Sequence, residues 1–300
     1  MRLLIVTQVV DSTDPVLGFF HRWIEEFAKH AERVEVICLK EGKHALPANV
    51  RVHSLGKEKG VSRAGYIFNF YRYIRELRRD YDAVFVHMNP EYIVLGGPLW
   101  RLWGKRIALW YTHKSVDLKL RLAELFSNII FTASKESFRL KSAKVRVMGH
   151  GIDTDFFCPD TSIARGDWAL SVGRLMPSKR HDLAIQRAVQ DGRALRIAGE
   201  GPERARLEAL ARKLRATVQF LGALTQTQLR DEYRTAAYLI HTSETGSLDK
   251  VVLEALACGL PFVTNDPALK PLETEGPQYV REHHSLGLLI PAILKAMHTV

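Results

Sequence analysis

The sequence predicts an α/β protein built from two Rossmann-like domains. Short runs of β-branched and aliphatic residues alternate with helical patterns from the first residue onward, which is typical of parallel strands joined by crossover helices. A polar, proline-containing segment, "GIDTDFFCPDTSIARGD", interrupts the alternation, which then starts again. These observations indicate a first domain over residues 1–158, a second over 159–282 and a closing helix over 283–300.

The predicted strands follow from their composition. In the first domain they are "RLLIVTQ", "RVEVICLK", "DAVFVHM", "KRIALWYT", "NIIFTAS" and "KVRVMGHG". In the second they are "WALSVGR", "ALRIAGEGP", "TVQFLGA", "AAYLIHTS" and "LPFVTND". The closing helix is predicted from an apolar face at helical spacing, formed by Leu286, Leu289, Ile290 and Ile293. Because paired nucleotide folds bind ligands outside the carboxyl ends of their strands, the loops that follow strands are the places where function is expected.

Composition narrows the class of protein. A chain of 300 residues with 46% hydrophobic and 25% charged residues is globular. The net charge of +10 suits an anionic partner, which charge alone leaves open as a nucleotide, a phospholipid surface or a nucleic acid. Three widely separated cysteines without ligand spacing argue against disulfides and structural zinc. The absence of a bilayer-length apolar run and of a signal-peptide pattern predicts a cytoplasmic protein.

The stretch "SVGRLMPSKRHDLAI" has the pattern of an anion site. A strand ends at Gly173, Arg174 follows, and Lys179 stands where a helix begins. A glycine-permitted turn, two cations and a helix N-terminus together can hold a diphosphate. A solvated loop is the alternative. The neighbouring "AGEGP" lacks the third glycine and the following acid of a dinucleotide fingerprint, so a nicotinamide oxidoreductase is the least favoured interpretation.

A second stretch, "HTSETGSLDKVVLEALACGLPFV", places a single acid, Glu254, in an otherwise apolar helix. A buried carboxylate without a partner is costly. Either a hydroxyl of a ligand or a nearby cation is therefore expected to compensate its charge.

Together, "VGRLMPSKRHDLAI", "AGEGP", "FLGAL", "DEYRTAAYLIHTSE" and "EALACGLPFV" resemble the nucleotide-binding half of glycosyltransferase family 4. The GT-B fold of that family has two Rossmann-like domains facing across a cleft. The segments "DPVLGFFHR", "WYTHKS" and "VMGHGIDTDFFCP" resemble its other half and its domain junction. The resemblance is strong over residues 145–265 and weaker elsewhere.

The resemblance implies roles for individual residues. Arg174 and Lys179, after the turn at Gly173, are expected to bind the donor diphosphate and stabilise its charge as it leaves, and Glu254 to hold the ribose hydroxyls. In the first domain, Gly18 is expected to keep its loop close to the donor. His113 is expected to contact the transferred sugar or the leaving oxygen, with His87 and His150 as weaker alternatives.

One position departs from the family pattern. The family has a further glutamate eight residues before Glu254, where this chain has Gly246. Glu244 is a candidate substitute. The alternative is a helix that begins at Ser247 as N-cap, with its amides, the glycine and Lys250 as a third cation holding the donor. Lys250 can equally be a solvated surface residue.

The resemblance further implies a retaining glycosyltransferase that moves a hexose from a nucleoside diphosphate sugar to a glycan or lipid-linked acceptor in cell-envelope polysaccharide synthesis. The expected donor is a UDP-sugar or GDP-sugar, with no cofactor, no metal and no nucleic acid partner. A nucleotide-sugar-binding protein that has lost transfer, and a GT-B sugar-nucleotide epimerase, remain the alternatives. The short distance between Asp266 and His283 indicates a trimmed second domain.

The segment "YIFNFYRYIRELRRDYD" predicts an amphipathic helix. One face carries Ile67, Phe70, Ile74 and Leu77, and the other carries Phe68, Arg72, Arg75 and Arg79. The basic face is either an ordinary solvated surface or a contact with an anionic membrane surface, where the protein would be peripheral on the inner face.

Overall fold

The computed structural model describes residues 1–243 and 248–299 and divides the chain into two compact units. The first unit comprises Met1–Gly151 together with the chain from Leu286 onward, and the second comprises Ile152–Ser285. Each contains one parallel β-sheet with helices on its faces. The predicted fold class, an α/β protein with two Rossmann-like domains, is confirmed.

The sheet of the first unit has seven parallel strands in the order β3-β2-β1-β4-β5-β6-β7. Its strands are β1 (Arg2–Val10), β2 (Arg33–Glu41), β3 (Val50–Ser54), β4 (Ala83–His87), β5 (Arg106–Trp110), β6 (Ile129–Thr132) and β7 (Val145–Val147). Its helices are α1 (Phe19–His30), α2 (Arg63–Glu76), α3 (Glu91–Leu102), α4 (Leu118–Phe126) and α10 (Leu286–His298). The strand β3 was not predicted, because an edge strand with only partial burial lacks a clear apolar pattern.

Alternating side chains of the central strands form two apolar layers. Leu3 and Ile5 pack with buried residues of α1 and α10, whereas Leu4 and Val6 pack with buried residues of α2, α3 and α4. The first unit is therefore a sheet covered by helices on both faces.

The helix α2 buries a narrower face than predicted. Phe70 and Ile74 are buried, but Ile67 is 45% exposed. Tyr66 and Tyr73 pack against the cluster that contains Phe70. Ile67, which the pattern places on the same face as Phe70, thus lies at the edge of the buried face.

The domain limits differ from the predicted ones. The chain enters the second unit at Ile152, whose amide donates to His284 O at 2.8 Å, and Phe157 is buried in the core of that unit. The segment predicted as a connection up to residue 158 is thus part of the second unit. The chain leaves at Leu286, and α10, the predicted closing helix, packs into the first unit.

The sheet of the second unit has five parallel strands in the order β10-β9-β8-β11-β12. Its strands are β8 (Ala169–Val172), β9 (Leu195–Ala198), β10 (Val218–Gly222), β11 (Tyr238–His241) and β12 (Phe262–Thr264). Its helices are α5 (His181–Gln190), α6 (Arg204–Lys213), α7 (Gln226–Thr235), α8 (Lys250–Ala257) and α9 (Pro277–His284). The strand order reverses between β8 and β11, and the loops after these two strands flank the place where such sheets bind ligands.

Within the described residues, no helix combines the length and the apolar composition that crossing a membrane requires.

Candidate functional site

The loops after β8 and β9 lie in backbone contact through two glycines. Gly173 donates its amide to Ala198 O at 3.0 Å and has a φ of +149°, and Gly199 has a φ of +146°. A Cβ atom at position 199 would lie 2.0 Å from Gly173 O. Both positions therefore require glycine. The two loops pack directly against each other at the carboxyl edge of the sheet.

Lys179 is fixed along its whole length. It ends the 3-10 turn Pro177–Lys179, and Thr242 Oγ1, after β11, donates to its carbonyl oxygen at 2.9 Å. Its stem passes Gly173, where a Cβ would lie 3.3 Å from Lys179 Cδ. Its ammonium donates to Asp249 Oδ2 at 2.5 Å. The cation thus stands at the point where the strand order reverses.

Asp249 is held by two partners. His241 Nε2 lies 3.3 Å from the same oxygen, Oδ2, that contacts Lys179. Burial by itself raises the pKa of Asp249, but the hydrogen bond with His241 and the positive charge of Lys179 outweigh burial and hold the pKa well below its usual range. Asp249 is therefore ionised at neutral pH.

Arg174 follows Gly173 in the same loop and is exposed. Its side chain has no ion pair with any residue in the described part of the chain. The five N–H donors of its guanidinium are therefore available to solvent or to a ligand. The loop brings the three predicted residues Gly173, Arg174 and Lys179 into one place.

Glu254 lies in α8 and is almost fully buried, at 2% exposure. Tyr233 Oη donates to its Oε2 at 3.2 Å, and Lys250 Nζ lies 3.0 Å from its Oε1. Burial lowers the pKa of Lys250, and the charge of Glu254 opposes this. Burial and the same charge raise the pKa of Tyr233, so the phenol keeps its proton. A cation and a phenol thus compensate the carboxylate, and the ammonium predicted as a third donor-binding cation is directed to Glu254.

The predicted start of α8 needs correction. The helix begins at Lys250, and Asp249 is its N-cap residue with an extended backbone at φ −94° and ψ 129°. Ser247 was predicted as the N-cap. Ser247, Glu244 and Gly246 lie outside the described residues, so their proposed roles stay predictions.

The candidates of the first unit have different environments. Gly18 precedes α1 and donates to Asp14 O at 2.9 Å, and a Cβ there would lie 2.4 Å from that oxygen. His113 is exposed after β5, and its Nδ1 accepts from Ser115 N at 3.1 Å. His87 is buried and stacked on Phe20 at 3.9 Å, as expected of a packing residue. His150 is partly buried.

The sequence interpretation missed His241 and Tyr233 as members of the site, and it placed Asp249 in the first turn of α8 without identifying its partners. Asp249 was visible as a polar residue at the start of an apolar helix. Its partner Lys179 is 70 positions away in the chain, so the pairing required the fold.

These features give the second unit a Rossmann-like fold with two cations, Arg174 and Lys179, on the loop at its topological switch point. Residues 163–291 match the family model described as glycosyl transferases group 1. The matched part of the chain contains the residues of this site, and the match confirms the resemblance noted in the sequence.

Individual proteins agree with this assignment. The GDP-mannose-dependent alpha-mannosyltransferase of Mycobacterium tuberculosis (strain CDC 1551 / Oshkosh) is 31% identical over 170 residues, which cover 53% of this chain and 42% of the mannosyltransferase. The chain thus matches less than half the length of this curated relative.

Two solved structures share the fold. The structure of Anabaena Alr3699/HepE in complex with UDP matches with a TM-score of 0.74 over 100% of both chains at 14% identity. That of AviGT4, a glycosyltransferase involved in avilamycin A biosynthesis, matches with a TM-score of 0.71 over 99% of this chain and 97% of that one at 15% identity. At these identities the likeness concerns the fold alone.

Proposed function

We propose that the protein is a retaining glycosyltransferase that transfers a hexose from a nucleoside diphosphate sugar to a glycan or lipid-linked acceptor of the cell envelope. The observation that carries the proposal is the pair of cations on the loop after β8, which begins at Gly173 and lies where the strand order reverses. Lys179 is fixed there by Asp249, and Arg174 stands next to Gly173.

The chemistry of a diphosphate donor suits these residues. During transfer, the bond between the anomeric carbon and the phosphate oxygen breaks, and the diphosphate leaves with the electron pair. The acceptor oxygen forms the new bond to carbon, and its proton passes to the departing diphosphate. Arg174 and Lys179 stabilise the charge that develops on that group. These two cations also support transfer without a metal ion, which activity retained in excess EDTA would verify.

The relatives' names support a nucleotide-sugar donor. The mannosyltransferase of Mycobacterium tuberculosis is named as GDP-mannose-dependent, and the Anabaena protein is in complex with UDP. Nucleotides with either base, uracil or guanine, are therefore tested for binding. Glu254 is the residue we assign to the ribose hydroxyls, because an ionised carboxylate accepts hydrogen bonds from a vicinal diol.

Calorimetric titration with UDP and GDP tests the donor assignment. Arg174→Ala and Lys179→Ala should each weaken binding by about 2 kcal/mol, as for hydrogen bonds to charged groups. Arg193→Ala is a matched control, because Arg193 contacts the carbonyl oxygen of Asp167, at the opposite end of β8 from Gly173. Unchanged binding in both site variants would refute the assignment.

Transfer itself needs a separate assay. A radiolabelled sugar from UDP- or GDP-linked donors should appear on a glycan or lipid-linked acceptor, with the anomeric configuration of the donor. Nucleotide binding without transfer to any acceptor class would instead support the alternative of a binding protein that has lost transfer, which the departure at Gly246 keeps open.

A lipid-linked acceptor is favoured by the outer surface of helices α2, α3 and α4. Large apolar side chains are exposed on all three, with Phe68 at 69%, Leu102 at 78% and Leu118 at 70%. Exposed arginines accompany them on the same three helices, at Arg72, Arg75, Arg101 and Arg121. Apolar side chains among cations are the composition with which a protein surface contacts anionic lipid.

Vesicle sedimentation tests this contact. Wild-type protein should bind vesicles that contain both phosphatidylglycerol and phosphatidylcholine. Its binding should be weaker to vesicles of phosphatidylcholine alone, and weaker to the mixed vesicles at high salt. The double variant Arg72→Glu/Arg75→Glu should bind at least about tenfold more weakly, since each surface cation contributes about 1 kcal/mol. Val189→Ser, at an exposed apolar residue of α5, is the control. Equal binding of the double variant and the wild type would contradict the membrane contact.

A further inference from the structure

Asp249 does not use its carboxylate in the way an N-cap aspartate usually does. An N-cap carboxylate ordinarily accepts a hydrogen bond from an amide in the first turn of its own helix. The side chain of Asp249 makes no such bond to α8. It turns instead to Lys179 and His241, which come from the loop after β8 and from the end of β11. The carboxylate thus contacts residues distant in the chain and makes no capping hydrogen bond to its own helix.

The histidine beside it is held by its own partners. His241 is buried at 4% exposure, and its Nδ1 lies 3.1 Å from Thr264 Oγ1. Thr264 Oγ1 accepts from the amide of Asp266 at 3.1 Å, which leaves its hydroxyl proton for Nδ1. The Nε2–H tautomer satisfies this network and donates to Asp249. His241 thus gives the carboxylate a second contact besides Lys179, at the same oxygen.

The ammonium of Lys179 retains donors after this contact. An ammonium has three N–H donors, and only the one to Asp249 is used among the residues described. Thr242 Oγ1 donates to Lys179 O and Ser243 Oγ donates to Ser178 O, and these hydrogen bonds hold the backbone from which the side chain starts. Asp249 therefore sets the direction of the ammonium without consuming its capacity to bind an anion.

We propose that Asp249 is a positioning residue, which holds the Lys179 ammonium in place for the diphosphate of the donor. The inference rests on the proposed function and adds a residue to it. It places the acid that supports the donor site at Asp249, three positions after Gly246, where the family's glutamate is absent. Because the lysine is already oriented, less entropy is lost when the diphosphate binds.

A double-mutant cycle on nucleotide affinity tests this role. The variants are Asp249→Asn, Lys179→Ala and the double variant, titrated with UDP and GDP. Asp249→Asn keeps the size of the side chain and an acceptor oxygen, and should weaken binding about tenfold through loss of lysine orientation, within the range for contacting residues. In the Lys179→Ala background the same change should have almost no effect. Asp191→Asn, at a carboxylate bound to Arg187 and Tyr238, is the control.

The outcomes separate this inference from the proposed function. Additive effects, or an Asp249→Asn variant with wild-type affinity, overturn the inference and leave the donor site intact. Tighter nucleotide binding by Asp249→Asn also overturns it, because the carboxylate would then compete with the diphosphate for Lys179. Failure of the wild type to bind UDP or GDP overturns both proposals. Thermal unfolding of each variant tests whether the fold is retained. Asn is chosen at position 249 because it has nearly the same size and shape as Asp.

Discussion

The buried pair of Glu254 and Lys250 allows structural and ligand-binding roles to be measured separately. Glu254→Gln keeps the acceptor for Tyr233 Oη but removes the charge that faces Lys250. Breaking a buried ion pair costs about 3–5 kcal/mol, and the 25% exposure of the Lys250 side chain reduces this to roughly 1–3 kcal/mol of unfolding free energy. Lys250→Met should destabilise the protein similarly, because it leaves the carboxylate buried without its cation.

The double variant Lys250→Met/Glu254→Gln removes both charges at nearly constant volume. Its stability should return close to that of the wild type, since a neutral pair leaves no uncompensated charge. Nucleotide affinity should not return. A carboxylate that accepts from ribose hydroxyls contributes about 1.5–3 kcal/mol per hydrogen bond, so UDP or GDP should bind about ten- to a hundredfold more weakly.

Urea unfolding and calorimetric titration on the four proteins supply both measurements. A double variant with wild-type nucleotide affinity would show that Glu254 only neutralises Lys250, and the assignment to the ribose would be refuted. A double variant that stays as unstable as the single ones would refute the assumption that the two charges act as a pair.

Two further outcomes are expected. Burial lowers the pKa of His181 to about 4 from an ordinary value of about 6.5. The stability gained from its neutral form is therefore full above about pH 6.5 and declines as the pH falls toward 4. His181→Gln should make the urea midpoint of unfolding less dependent on pH in this range, whereas His283→Gln, at an exposed histidine, should leave that dependence unchanged. Gly199→Ala should destabilise the second unit by about 2 kcal/mol or more, because its Cβ would lie 2.0 Å from Gly173 O. Gly192→Ala, at φ +63° with open space around it, should cost about 1 kcal/mol, and equal thermal shifts for the two glycine variants would contradict the packing argument.

The strands, and the grouping of Gly173, Arg174 and Lys179 on one loop, were predictable because the signal is local. The apolar patterns predict eleven strands, and the one strand they omit among the described residues, β3, is an edge strand whose Arg51 and partly buried His53 dilute the apolar pattern. Gly173, Arg174 and Lys179 were found because they stand within one short stretch after a strand. Their signal needs no knowledge of the fold.

Long-range pairings were not predictable. Nothing in the sequence near Lys179 indicates that Asp249 and His241 fix it, because sheet order brings the ends of β8 and β11 together. The limits of the units were misjudged for a related reason. The apolar face of α10 was visible, but periodicity does not say which core receives it.

The path of α10 has a consequence for biosynthesis. The apolar cluster of the first unit includes Leu286, Leu289, Ile290, Ile293, Leu294 and Met297, all of which follow the second unit in the chain. A ribosome therefore releases the complete second unit before the first unit has received its last helix. Until then the part of α1 that α10 covers is exposed, and a nascent chain arrested after Ser285 should expose apolar surface to chaperones while its second unit is already folded.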